Sequence, residues 1–262
     1  MPFPPLEILL IIVLLCGVLS ALAYVKGVLT LDGAAAAFLV GLLVGVFGQF
    51  TWLLLLLFFL LSSFVATRYR FALKEALGVQ EGRRGERRAS NVLANGLAPV
   101  AVALLAFSDT MSLPWSVSGL MYISVLAVAG ADTLASEIGV LSPNAYLILS
   151  WRKVRPGTDG AVSLLGTLCA LGAALYTALF GWLFLNLDPP AYDFASTMPA
   201  NTILLAIPVI AGFVGCQIDS LLGETLETRG YIGKRTVNLV ATSSGGVIAY
   251  VLMWFAGVVP FP

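Results

Sequence analysis

Two short stretches of the chain carry the residues best suited to chemistry. Asp132-Thr133-Leu134-Ala135-Ser136-Glu137 and Asp219-Ser220-Leu221-Leu222-Gly223-Glu224 share the pattern D[ST]LxxE, and in each the aspartate follows a largely apolar run, Val125–Ala131 and Ile210–Ile218. An ionised carboxylate at the centre of a membrane helix costs about 2.5–3.5 kcal/mol on insertion scales, so its presence there asks for a functional reason. Residues five apart lie about 140° apart around a helix, so Asp132 and Glu137 do not share a face unless the helix ends or unwinds between them. The economical arrangement pairs Asp132 with Asp219 from two facing helices, with Glu137 and Glu224 joining where each helix frays. No donor in this set is nitrogen or sulfur, and hard oxygen ligands favour Mg²⁺ or Mn²⁺ over zinc.

Arg87, Arg88, Arg155, Lys234 and Arg235 fall on the same side of the predicted bundle as these acids. That combination suits phosphoryl transfer. A polyphosphate cannot approach bare carboxylates, so a divalent cation must bridge them while Arg and Lys neutralise the outer oxygens. Ser90-Asn91 and the turn Pro156-Gly157-Thr158-Asp159-Gly160 each read as the opening of a helix, where backbone N–H groups face anions. Taken singly, these residues are more often helix caps and topology-setting charges. The basic loop Arg68–Asn91 also suits anionic lipid headgroups. Other chemistries are excluded by what is missing. There is no histidine, the three cysteines Cys16, Cys169 and Cys216 have no CxxC spacing, and neither GxxxxGK[ST] nor GxGxxG occurs. Triad catalysis, His-containing metal sites and soluble nucleotide-binding folds are therefore out.

The elements that must hold these groups are membrane helices. Of 262 residues, 59% are hydrophobic and 11% charged, with mean hydropathy +0.97, against about 25% charged residues in a soluble domain. Eight apolar stretches are candidates to cross a bilayer: Leu6–Val25, Ala34–Phe47, Phe50–Ala66, Val92–Phe107, Val117–Ser136, Ala161–Leu187, Asn201–Leu222 and Val237–Val259. Threaded alternately, they place all 14 basic residues on one side and leave only Glu7, Asp109, Asp188 and Asp193 on the other. Basic loops are cytoplasmic, so both termini are expected outside and the acidic motifs at the cytoplasmic boundary. The expected fold is all-α: one integral-membrane domain over residues 1–262, a polytopic bundle of about eight transmembrane helices. Asp32-Gly33-Ala34 echoes Asp159-Gly160-Ala161, and Asn91 with Asn95 echoes Asn238 with Thr242, which together with the paired acidic motifs suggests an internal duplication. Zero formal net charge speaks against a nucleic-acid partner.

Four segments resemble a known family. They are Asn91–Gly96, Gly130–Ser142, Pro156–Thr167 and Gly215–Gly223, and the resemblance extends over roughly residues 27–259. The family is the integral-membrane group of plant and cyanobacterial phytyl-phosphate kinases and animal transmembrane protein 19. It implies transfer of a phosphoryl group from a nucleoside triphosphate, CTP, to an isoprenoid monophosphate lipid. It further implies Mg²⁺ held by Asp132, Glu137, Asp219 and Glu224, phosphates positioned by Asn91, Asn95, Thr158, Ser163 and Asn238, and charge offset by Arg87, Arg88, Lys234 and Arg235. The chain departs from the family pattern at Asp159 and at Thr242-Ser243-Ser244. Two other readings remain open on the residues: a multi-pass transporter of a small solute, favoured by repeats and Gly-rich helices, and a CTP-dependent lipid cytidylyltransferase, which would use the same metal site.

Overall fold

The computed structural model describes residues 3–80, 82, 85–108, 113–187 and 203–259. Among the described residues it contains nine α-helices: α1 (Leu6–Val25), α2 (Leu31–Phe47), α3 (Phe50–Arg68), α4 (Phe71–Leu77), α5 (Ala89–Ser108), α6 (Trp115–Gly139), α7 (Leu164–Leu185), α8 (Ile203–Leu222) and α9 (Lys234–Phe255). Eight of these match the eight apolar stretches. Seven are long and apolar enough to cross a membrane, and α2, with 17 residues, is the short one. Asp109, Asp188, Asp193, Asn201, Arg83 and Arg84 lie outside the described residues.

One feature departs from an all-helical expectation. Between α6 and α7 the chain forms a three-stranded antiparallel sheet, β1 (Ala145–Leu147), β2 (Lys153–Val154) and β3 (Ala161–Val162), in the order β2-β1-β3. The Pro156–Gly160 turn therefore leads into a strand and does not open a helix. Helix α7 begins at Leu164, where the Ser163 hydroxyl accepts the Gly166 N–H at 3.1 Å and donates to the Gly139 carbonyl at 3.2 Å. Thr30 caps α2 in the same manner, accepting from Gly33 N at 3.3 Å and donating to the Arg87 carbonyl at 3.2 Å. The structural echo between the halves is thus this [ST]xxG cap. Asp32 does something Asp159 does not: its carboxylate accepts the Ala89 N–H at 3.1 Å, at the first residue of α5.

Helix α6 is the central post. In its apolar window 83% of residues are buried, against 11% for α1 at the rim, and it packs on α3, α5, α7, α8 and α9. Small residues permit that crowding. Gly212 and Gly215 of α8 stand against Ala127 and Val128 of α6, and a Cβ at Gly245 of α9 would sit 2.8 Å from the Ser124 carbonyl oxygen. Backbones meeting through small residues gain van der Waals contact that bulky side chains would forbid. This crossing also fixes the acids: four residues beyond Val128 is Asp132, and four beyond Gly215 is Asp219, one helical turn along the same faces.

All described Lys and Arg residues lie at one end of the bundle, and the connections there interlock. Leu29 pairs with Arg87 in a β-bridge, Lys74 meets Glu137, and the Glu224 carboxylate accepts the N–H groups of Leu149 and Ser150 at 2.7 and 3.2 Å. Gly160, at φ +74°, touches the backbone of Glu224 at the start of a π-helical turn, Gly223–Glu227, that ends α8; a Cβ there would collide with the Glu224 nitrogen.

Candidate functional site at the basic end of the bundle

Asp132 and Asp219 are brought by the α6–α8 crossing to the wall of one cavity, where their carboxyl groups interact. Two carboxylates so close require a proton or a cation between them. Asp219 Oδ2 is buried without a partner. Lys234, the first residue of α9, acts electrostatically on Asp132, Asp219, Glu227 and Asp159. Asp132, Asp219 and Lys234 border a polar cavity of about 270 Å³, whose other wall is the Pro156–Ser163 segment, Asp159 included, and the sheet residue Ala145.

The carboxylates of the two glutamates do not join them. Glu137 also borders the polar cavity, but its carboxylate is spent in an ion pair with Lys74, Nζ to Oε2 2.6 Å, and its other oxygen accepts the Thr67 hydroxyl at 2.8 Å. This is the result helical geometry demands for a residue five positions from Asp132 in a helix that continues to Gly139. Glu224 is committed to the Leu149 and Ser150 amides and so anchors the sheet. Among the described residues no group of three or more His, Cys, Asp or Glu is placed to hold a metal. The four-carboxylate set is therefore not assembled, and only Asp132 and Asp219 remain together. Two carboxylates with one free buried oxygen still suit Mg²⁺, which takes one or two protein carboxylates and completes its octahedron with water and phosphate oxygens.

The remaining predicted residues divide by location. Thr158 and Ser163 line the polar cavity, but their hydroxyls are engaged in local structure, Thr158 with the Arg155 carbonyl at 2.8 Å and Ser163 as the α7 cap. Arg87, Asn91 and Asn95 line a second cavity of about 390 Å³, apolar over most of its wall, between α1, α2, α3 and α5. Asn95 donates to the Asn91 carbonyl at 3.4 Å, and its Oδ1 is buried without a partner. Asn238 Oδ1 is also buried and unpartnered, but Asn238, Arg88 and Arg235 line neither of these cavities. Arg88 and Arg235 are exposed.

The two cavities are linked by a hydrogen bond: Thr67, which lines the apolar cavity beside Arg87, donates at 2.8 Å to Glu137, which borders the polar one. Thr67 and Lys74, which hold this link, carry no motif in the sequence. A lysine in a seven-residue amphipathic helix reads as a solvated charge, and only a search for unpaired cations near Glu137 would have drawn attention to it.

A polytopic helical membrane protein with a carboxylate pair and a cation at one end is the class that fold and site define. The chain belongs to the integral membrane protein DUF92 family, whose model matches residues 14–254. It is similar to an uncharacterized membrane protein of Methanocaldococcus jannaschii, 32% identical over 222 residues, 84% of each chain. It is likewise similar to the chloroplastic protein VTE6 of Arabidopsis thaliana, 29% identical over 248 residues, 92% of this chain and 70% of that one. An uncharacterized membrane protein of a Synechocystis strain is 31% identical over 244 residues, 90% of this chain and 88% of its own. No solved structure matches the chain significantly.

Proposed function

We propose that this protein is a membrane-embedded prenyl-phosphate kinase. It takes an isoprenoid monophosphate as acceptor and a nucleoside triphosphate, CTP by family resemblance, as donor. The observation that carries the proposal is a pair of unlike cavities linked through the Thr67–Glu137 hydrogen bond: an apolar one that Arg87 also lines, and a polar one bordered by Asp132, Asp219 and Lys234. A greasy tail bearing a phosphate fits the first, and a polyphosphate the second.

Asp132 and Asp219 would hold Mg²⁺, which when bound offsets the charge of the donor's phosphates. Lys234 neutralises outer phosphate oxygens from the mouth of the polar cavity. Arg87 holds the acceptor phosphate and turns it toward the donor. An acceptor oxygen forms the new bond to the γ-phosphorus as the bond from that phosphorus to the bridging oxygen breaks, releasing the nucleoside diphosphate. The acceptor oxygen is already ionised, so alignment and charge neutralisation suffice and no histidine base is needed. In this reading the basic end faces the cytoplasm and both termini lie outside, following the distribution of Lys and Arg.

The test is an assay of the purified protein with Mg²⁺, each of the four nucleoside triphosphates, and phytyl, geranylgeranyl and farnesyl monophosphate. Formation of a prenyl diphosphate with CTP supports the proposal. A CDP-lipid with released pyrophosphate would instead make the protein a cytidylyltransferase.

A further inference from the structure

The residues around Glu137 form a continuous chain of polar contacts that ends on Arg87. Lys74 Nζ is wholly buried and spends its three donors on the carbonyls of Ala66 and Thr67, at 2.8 and 3.1 Å, and on Glu137 Oε2 at 2.6 Å. Glu137 Oε1 takes the Thr67 hydroxyl proton at 2.8 Å. With its proton so committed, Thr67 Oγ1 has only lone pairs to offer, and it accepts Arg87 Nη2 at 3.3 Å. The backbone of Arg87 is fixed separately: its N–H donates to the Val28 carbonyl at 3.0 Å, and its carbonyl accepts the Thr30 N–H at 3.1 Å. Gly33 lies against that same carbonyl with no room for a Cβ. Main chain and guanidinium are thus held by separate partners, and Arg87 and Thr67 both line the apolar cavity.

We infer that Thr67, Glu137 and Lys74 are positioning residues that aim the Arg87 guanidinium at the phosphate of a prenyl monophosphate lying in the apolar cavity. The inference rests on the kinase reading for the identity of that ligand. It gives Glu137 a purpose other than metal binding. The donor order is fixed: a buried ammonium polarises the carboxylate, the carboxylate orients the hydroxyl, and the hydroxyl takes one guanidinium N–H while the others remain for phosphate oxygens.

Binding alone tests it. The full-length protein in nonionic detergent micelles is titrated calorimetrically with geranylgeranyl monophosphate in the absence of nucleotide. Thr67→Val, which keeps shape and loses the acceptor, weakens binding about tenfold, the effect of one hydrogen bond to a charged group. Thr67→Ser restores affinity to within about threefold, well inside a single such bond. Arg87→Gln weakens binding at least as much as Thr67→Val, and the double variant binds no more weakly than Arg87→Gln alone, because Thr67 acts through Arg87. Wild-type affinity in Thr67→Val, or multiplicative losses in the double variant, would overturn the inference. Should Thr67→Val fail to fold, Thr67→Ala supplies the same cycle. Wild-type protein that binds the lipid but turns nothing over defeats the kinase reading and leaves this inference standing, whereas wild-type protein that binds no lipid defeats both.

Discussion

Lys74→Met tests the energetics of the basic end most sharply. The side chain of Lys74 is fully buried, and that of Glu137 is 9% exposed, so neither charge has water to fall back on. Replacing the ammonium by a thioether removes three hydrogen bonds at once and leaves the Glu137 carboxylate with the hydrogen bond from the Thr67 hydroxyl. It also strips a donor from the carbonyls of Ala66 and Thr67 in the last turn of α3, where a cation is favourably placed against the helix dipole. Breaking a buried ion pair from one side costs about 3–5 kcal/mol, most of it the burden of the charge left behind. Removing both charges, in Lys74→Met with Glu137→Gln, should therefore recover about 2 kcal/mol or more of that loss, since a buried pair replaced by uncharged groups is often close to neutral. The assay is equilibrium unfolding in mixed micelles with increasing SDS. Fluorescence of Trp52, stacked on Tyr122 with ring centroids 4.3 Å apart, serves as a reporter. A Lys74→Met protein within about 1 kcal/mol of wild type, or a double variant less stable than either single one, would refute the reasoning, because an unpaired buried charge costs several times more.

Three further outcomes follow from individual contacts. Ser163→Ala should lower stability by about 1 kcal/mol through loss of the α7 cap and leave the nucleotide KM unchanged within about twofold, as steady-state kinetics will show. Glu224→Gln and Glu137→Gln should leave the Mg²⁺ concentration for half-maximal activity unchanged, since both carboxylates are engaged away from the aspartate pair; a large increase in either variant would return that residue to the metal site. Gly160→Ala should open the turn between β2 and β3, because φ +74° is strained for alanine and its Cβ meets the Glu224 backbone; limited proteolysis at Arg152–Arg155 should then be faster than in wild type.

What could be read from the sequence follows from range. The apolar runs report directly on the solvent around each segment, so all eight long helices were legible, down to the short α2. The pairing of Asp132 with Asp219 was legible as well, because each motif sits one turn past a small-residue contact face and helical periodicity carries that register onward. The roles of Glu137 and Glu224 were not. Their partners, Lys74 and the amides of Leu149 and Ser150, lie 63 to 75 positions away in sequence, and no local pattern encodes such a contact. The small sheet is not legible for a different reason: strands of two or three residues are too short to show an alternating pattern. Ser163 was legible as a polar residue at a helix start, but its hydroxyl serves the backbone, which residue type alone does not distinguish from serving a ligand.

The central claim is that the Asp132–Asp219 pair supports phosphoryl transfer to a lipid phosphate, and CTP labelled on its γ-phosphate addresses it directly. Purified wild-type protein, given this CTP, Mg²⁺ and geranylgeranyl monophosphate, should move the label into the lipid, and Asp219→Asn should cut that transfer by about a hundredfold or more, as loss of a key electrostatic group does, while still inserting and unfolding like wild type. Label that stays out of the lipid fraction with every prenyl phosphate tried, or that enters it equally well with Asp132→Asn and Asp219→Asn, would contradict the account.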